Sequence, residues 1–313
     1  MKVYRKLEKF DVKNPVVTIG IFDGVHRGHH KIIDQLKKTA KEFDGESVIF
    51  TLWPHPRLIL DRQENKIFLL NTIEDKIKLL EKAGIDHLII QTFDSSFAKV
   101  SAGDFIEKIL VNKIGIKQLI VGFNHKFGHK RYGGQLEYDQ YAAKFGFNII
   151  NVEGLKTDNV NISSTRIRSA LLKGDIILAN KFLGYTFKIQ GKVVHGSEFG
   201  RTINFPTANI QINNKNIIIP GDGVYAVKIG IGEHMYSAML NIGKRPTISE
   251  QNIRTIEVNI FDFKENIYNK NIDLYFYSKI RNEIRFMGVE ELKIQLKKDK
   301  IKTKQILSVE ISD

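Results

Sequence analysis

The sequence predicts two domains in series, a doubly wound α/β domain followed by a small antiparallel β-barrel that a helix closes. Three observations point there. In the first half, nearly all-apolar β-like runs recur about every 30 to 40 residues with helical patterns between them. From about Leu183 glycines become frequent, helical spacing disappears and short β-rich runs follow one another. The last segment, Gly288 to Leu307, regains helical spacing.

The first-half runs are Val16 to Phe22, Ser47 to Leu52, His87 to Phe93, Gln118 to Phe123 and Phe147 to Val152. Their continuous apolar character suits parallel strands covered on both faces. Between the first two, Ile32, Ile33, Leu36, Ala40 and Phe43 fall on one helical face. Ligands of such sheets bind beyond the carboxyl ends of the strands, so residues just after each strand carry most weight. The second-half runs are Phe187 to His195, Val224 to Ile231, Met235 to Asn241, Thr255 to Phe261 and Ile272 to Tyr277. The boundary is expected near Lys181 to Thr186, after a helical pattern over Ser164 to Lys173, giving domains 1–182 and 183–313.

Composition narrows the function classes. With 313 residues and 42% hydrophobic content the chain can bury two cores. Met1 to Asn14 has no signal-like apolar region and no stretch approaches membrane-spanning length, so a cytoplasmic protein is expected. The absence of cysteine, 0 in the chain, excludes disulfides, thiolate metal sites and cysteine nucleophiles. A net charge of +13 suits nucleotide phosphates or a nucleic acid. The densest basic run, Lys293 to Lys304, follows Leu292 and Leu296 at helical spacing, so its lysines read as a solvated face and no nucleic-acid partner is expected.

The first chemical constellation follows strand one: Gly20-Ile21-Phe22-Asp23-Gly24-Val25-His26-Arg27-Gly28-His29, with a helix directly after it. Glycines let backbone approach a phosphate, and a helix N-terminus offers free N–H groups and a positive dipole end. His26 and His29 flank Gly28 and suit hydrogen-bond donation to charge that grows at an α-phosphate. An isolated histidine in that place would be read as a helix cap. The spacings of His26 with His30 and His125 with His129 would also suit zinc, but no carboxylate stands at metal-helix spacing. The segment resembles the signature of the nucleotidylyltransferase superfamily, whose His-x-Gly-His turn binds ATP.

Three further segments, Thr51-Leu52-Trp53-Pro54-His55-Pro56, Val121-Gly122-Phe123-Asn124-His125-Lys126-Phe127-Gly128 and Ile162-Ser163-Ser164-Thr165-Arg166-Ile167-Arg168, resemble motifs of bacterial FAD synthetases. The resemblance implies ATP-binding roles for Gly20, Phe22, Asp23, Gly24, His26, Gly28, His29, Ser163, Ser164, Thr165 and Arg168, and FMN-binding roles for Pro54, His55, Pro56 and Asn124. Asn124 stands where that family commonly has Asp, which removes a carboxylate while keeping hydrogen-bonding ability.

In the second half, Gly191-Lys192-Val193-Val194-His195-Gly196 has P-loop-like glycine spacing, yet Ser197 replaces the required lysine, so a Walker A assignment fails. The longer string Gly200-Arg201-Thr202-Ile203-Asn204-Phe205-Pro206-Thr207-Ala208-Asn209 closely resembles the riboflavin kinase signature, with Asn204 replacing the usual Gly. Gly243-Lys244-Arg245-Pro246-Thr247 and Phe286-Met287-Gly288-Val289-Glu290-Glu291-Leu292 add to the likeness. It implies Mg²⁺ on Thr207 and Asn209, and ATP on Gly191, Val193, His195, Gly196, Arg201, Pro206, Thr207 and Asn209. Riboflavin falls to Arg281, Phe286 and Gly288.

By alternation Ile256, Val258 and Ile260 share one strand face and Glu257 the other. The bare reading of Glu257 is an exposed strand carboxylate; the resemblance makes it the catalytic base. The whole chain thus resembles the bacterial bifunctional riboflavin kinase/FMN adenylyltransferases. A Rossmann-like nucleotidylyltransferase domain would precede a riboflavin-kinase-like barrel, with ATP, riboflavin, FMN and FAD as substrates and products and a monomer or weak homo-oligomer as the expected state.

Overall fold

In the computed structural model, which describes residues 1–7, 10–60, 67–122, 135–157, 160–196, 198–244 and 254–308, the chain divides between Ser164 and Thr165 into two units. The first is built on β1 (Lys2–Tyr4), β2 (Val16–Ile19), β3 (Ser47–Trp53), β4 (His87–Thr92), β5 (Gln118–Gly122) and β6 (Asn148–Val152). Among the described residues these form one parallel sheet of 6 strands in the order β1-β4-β3-β2-β5-β6.

Adjacent residues of these strands go to opposite apolar layers. Val16, Ile49, Leu88 and Ile120 join one core cluster, while Val17, Val48, Ile89 and Leu119 join the other. That double burial is why the runs read as continuously apolar. Helix α1 (Arg27–Glu42) covers the first layer through Ile33, Leu36 and Ala40. Phe43, expected on the same face, is 46% exposed because it is the C-cap residue and helical periodicity no longer governs it. The same unit holds α2 (Pro56–Leu60), α3 (Ile73–Lys82), α4 (Ala102–Asp104) running into a π-helical stretch (Phe105–Ile114), α5 (Gln135–Phe145), and a small hairpin of β7 (Lys156–Thr157) and β8 (Val160–Asn161). In this order β3 and β5 flank β2, so the chain's direction of winding switches beside β2, and the crevice of the sheet opens past its carboxyl end.

The second unit begins at Thr165, within α6 (Ser164–Lys173), and continues with α7 (Ile176–Leu183). Then come β9 (Lys188–Val194), the short α8 (Phe199–Thr202), β10 (Ala208–Gln211), β11 (Gly223–Ile231), β12 (His234–Lys244), β13 (Arg254–Ile260), β14 (Asn271–Arg281) and α9 (Val289–Ser308). The strands close into an antiparallel barrel in the order β10-β13-β12-β11-β14-β9. Leu307 of α9 packs with Val224, Ala226 and Ile280 of the barrel wall. Helices α6 and α7 are stitched to the barrel by hydrogen bonds: Gly221 N–H donates to the Leu171 carbonyl (2.9 Å), and the Asn180 side chain accepts from Phe187 N–H (2.8 Å) while donating to the Phe276 carbonyl (2.9 Å). No helix of the described residues is long and apolar enough to cross a membrane.

Candidate active sites

Past β2 the backbone enters a tight turn with positive φ at Phe22 (50°), Gly24 (85°) and Val25 (35°). Glycine takes such angles freely, whereas a β-branched residue there is strained, at about 1–3 kcal/mol, and persists only when its surroundings enforce it. The enforcing contacts come from distant segments. The Ile21 carbonyl accepts from Lys76 Nζ (2.7 Å) and Thr51 Oγ1 (3.2 Å). The buried Asp23 carboxylate accepts from Leu70 N–H (3.1 Å), Gly24 N–H donates to Asn71 Oδ1 (3.2 Å), and Ser164 Oγ donates to the Asp23 carbonyl (2.9 Å).

The turn delivers His26 to the N-cap of α1, where its Nδ1 accepts from His29 N–H (3.3 Å). The capping role and the phosphate-donor role are therefore compatible: with Nδ1 accepting, the neutral ring carries its proton on Nε2. The His26 and His29 rings stack, centroids 3.6 Å apart and planes 13° apart. Burial above all, with smaller effects of neighbouring His26 and Lys76, holds His29 well below the ordinary imidazole range, so near neutral pH its ring is uncharged. Any Cβ on Gly28 would come 3.2 Å from the His26 ring, which explains glycine between the two histidines. Two buried polar atoms at this turn, His29 Nδ1 and Asn71 Nδ2, lack a hydrogen-bond partner among the described residues, so each retains unused hydrogen-bonding capacity.

Sequence reasoning missed Asn71 and Lys76. One signal existed for the lysine: it shares a helical stripe with the buried Ile73 and Leu80, and a cation on an apolar stripe requires a partner. Lys76 is fully buried, its ammonium 5.2 Å from the Trp53 ring centroid, and burial lowers its pKa to about 8 against the opposing charge of Asp23.

Pro54, His55 and Pro56 leave β3 beside this turn, with His55 buried and its Nδ1 accepting from Arg57 N–H (3.1 Å). Ser163 and Ser164 close the first unit, and Thr165 and Arg168 lie on α6 in the second. Asn124 and its neighbours through Gly128 lie outside the described residues, as do His129 and the segment Arg245 to Thr247. Among the described residues no group of three or more His, Asp or Glu side chains is placed to hold a metal.

In the barrel unit a cavity of about 370 Å³ is lined by Thr207, Asn241, Glu257, Arg281, Glu283 and Phe286, with apolar side chains from β11, β12 and α9 filling in. Strand register sets its polar wall: Glu257 of β13 lies directly opposite Asn209 of β10 on one side and Asn241 of β12 on the other. Ile256, Val258 and Ile260 are buried as the alternation requires, yet Glu257 is half-buried in the cavity wall rather than exposed. Asn259, two residues on, is buried and donates to the Pro206 carbonyl (2.7 Å), tying the Pro206–Thr207 loop to β13.

The loop before it is held from the outside. Arg201 donates to Glu198 (3.0 Å) and to the Tyr268 hydroxyl (3.3 Å), and the His195 ring stacks on Tyr268 at 3.9 Å. Asn204 has φ 60°, the left-handed conformation that glycine favours and that asparagine tolerates well, so its replacement of the usual Gly preserves the turn. Gly196 lies so close to Asn209 that any Cβ would run into the Asn209 amide. Gly191 and the buried Val193 sit inside β9, where a Cβ on Gly191 would strike Ile210, and Gly288 stands just before α9 with open space around it. Thr207, Glu257, Arg281 and Phe286 are therefore brought to one cavity; Asn241 and Glu283 join them without having been foreseen.

The model of the FAD synthetase family matches residues 9–166, and that of riboflavin kinase matches residues 183–307. A bifunctional riboflavin kinase/FMN adenylyltransferase of Haemophilus influenzae is 40% identical over 285 residues, covering 90% of this chain and 91% of its own. A protein of the same description from Bacillus subtilis is 38% identical over 299 residues, covering 94% and 93%. The crystal structure of a macrolide-efflux protein from Streptococcus pneumoniae superposes with a TM-score of 0.86 at 30% identity, covering 96% of this chain and 98% of that one. The order of the two matched segments follows the order of the sheet unit and the barrel unit, and the chain belongs to the bifunctional riboflavin kinase/FMN adenylyltransferase family.

Proposed function

We propose that the chain makes flavin cofactors in two ATP-dependent steps, phosphorylating riboflavin to FMN in the barrel unit and adenylylating FMN to FAD in the sheet unit. The observation that carries the reading is the Glu257 carboxylate set in a cavity wall between Asn209 and Asn241, in a chain whose other half displays the paired histidines of a nucleotide-binding turn.

In the kinase step the terminal ribityl hydroxyl attacks the γ-phosphorus of ATP, its proton passes to Glu257, and ADP leaves. Arg281 and Phe286 hold riboflavin, with Gly288 at the start of the closing helix. His195, Gly196, Arg201 and Pro206 form the ATP side, and Gly191 and Val193 support them from β9. The hard oxygen donors of Thr207 and Asn209, beside the Glu257 carboxylate, fit Mg²⁺, and Gly196 and Gly200 leave space where a Cβ would crowd them. When bound, Mg²⁺ would neutralise phosphate charge.

In the second step a phosphate oxygen of FMN attacks the α-phosphorus of ATP and pyrophosphate leaves. His26 and His29 donate hydrogen bonds to the charge growing there, and the N-terminus of α1 adds its dipole. Gly20 to Gly24, Gly28, Ser163 and Ser164 shape the phosphate side; the roles of Thr165, Arg168, Pro54, His55, Pro56 and Asn124 rest on motif likeness. The chemistry needs small molecules alone and the ATP pool of the cytoplasm.

Chromatography after incubation with riboflavin, ATP and Mg²⁺ tests the reading: FMN should form first and FAD follow. Glu257→Gln should cut FMN formation by about 10²–10⁴-fold while leaving FAD formation from supplied FMN intact. A wild-type chain that yields no FMN, or an unaffected variant, would sink the kinase assignment.

A further inference from the structure

We propose that Asp299, on the closing helix α9, is a positioning residue of the kinase site that fixes the Arg281 guanidinium as a rigid wall of the riboflavin cavity. The inference rests on the kinase reading above and adds a residue that touches no substrate.

Asp299 is 2% exposed, in the middle of the basic run that the sequence presents as a solvated face. Its carboxylate grips Arg281 side-on, with Nε 3.1 and 3.0 Å from the two oxygens and Nη2 2.8 Å from Oδ2. Gln295 Nε2, one turn earlier on α9, donates to Oδ1 (2.8 Å), so the helix itself holds the carboxylate in place. Arg281 Nη1 donates to the Asn282 carbonyl (3.0 Å). With all three guanidinium nitrogens engaged, the plane of the group is fixed, and it stands 5.8 Å from the Phe286 ring centroid in the cavity lining. A fixed planar cation beside an aromatic ring suits a flat aromatic ligand through stacking.

The same cavity holds two other carboxylates, Glu257 and Glu283. A guanidinium no longer held by Asp299 is left in a lining that carries these two carboxylates, and pairing with either would narrow the cavity. A buried carboxylate is costly without its partner, so its retention at Asp299 calls for a return, and a site held ready for its substrate supplies one.

The test is steady-state kinetics of FMN formation by the full chain, with FAD formation from supplied FMN as the internal measure of enzyme concentration and the melting temperature of the barrel unit as the measure of its folding. Asp299→Asn should raise KM for riboflavin about tenfold or more, leave KM for ATP within about twofold, and be partly rescued by Asp299→Glu. If Asp299→Asn melts early, Arg281→Gln combined with Asp299→Asn removes the pair without stranding a charge. The double variant should show the same riboflavin-specific defect, no worse than Arg281→Gln alone, because Asp299 acts only through Arg281. An unchanged riboflavin KM, or equal rises for both substrates, would overturn the positioning role. A wild-type chain that makes no FMN would instead overturn the kinase reading.

Discussion

Lys76 lies beneath the histidine turn with its ammonium donating to the Ile21 carbonyl, and burial lowers its pKa from 10.5 to about 8. A cation with a depressed folded pKa is a cost, because the unfolded chain binds more protons between pH 8 and 10.5 and stability climbs with pH across that window. Below pH 8 the whole cost is present, about 3 kcal/mol from the size of the shift. Lys76→Met removes it and forfeits one hydrogen bond of about 1 kcal/mol, while Thr51 Oγ1 still donates to the Ile21 carbonyl. The variant should therefore be more stable than wild type by about 2 kcal/mol at pH 7, with the gap closing toward pH 10.5, and its FAD formation should fall at least tenfold as the turn loosens. Urea unfolding followed through Trp53, the 1 tryptophan of the chain, reads the first unit at both pH values. A variant less stable than wild type at pH 7 would mean that the clamp outweighs the desolvation of the charge.

Helix α1 combines structure and chemistry in one residue, and the two can be separated. His26→Ala should cost about 1 kcal/mol by uncapping the helix and abolish FAD formation, whereas His26→Ser should restore the cap and the melting temperature without restoring activity. Activity in the serine variant would reduce His26 to a cap. At this scale the sheet strands and the barrel strands were legible because burial on two faces or on one leaves a period that sequence records. Strands β1 and β10 were not, since Lys2–Tyr4 has 3 residues, too few to show a period, and Ala208–Gln211 is short and lies inside the Phe-Pro-Thr-Ala-Asn string. Helix α7 was hidden because Ile176, Ile177 and Leu178 stand together and blur the helical spacing, so the segment read as the approach to a boundary. The site divided the same way: the histidines and Thr207 stand within local motifs and Glu257 emerged only through the family likeness, while Asn71, Lys76 and the Asp299 proposed above meet their partners across sequence separations that no local pattern encodes.

At the scale of the whole molecule, the riboflavin kinase match begins at residue 183, yet contacts divide the chain between Ser164 and Thr165. Helix α7 packs on β14 and buries Ile176, Ala179 and Phe182, α6 ends in a hydrogen bond from Gly221 N–H to the Leu171 carbonyl, and Asn180 satisfies Phe187 N–H and the Phe276 carbonyl. We therefore expect a fragment of residues 165–313 to fold and phosphorylate riboflavin without making FAD. A fragment of residues 183–313 has the strands and the cavity but loses that apolar cover and both Asn180 bonds, a deficit of several kcal/mol. It should melt about 10 °C or more below the longer fragment, and its FMN formation at a temperature where both are folded should be equal, because none of the cavity residues precedes Phe199. Matching melting temperatures would show that α6 and α7 add nothing to the barrel's stability; a lower rate in the shorter fragment at that shared temperature would give the two helices a part in the chemistry itself.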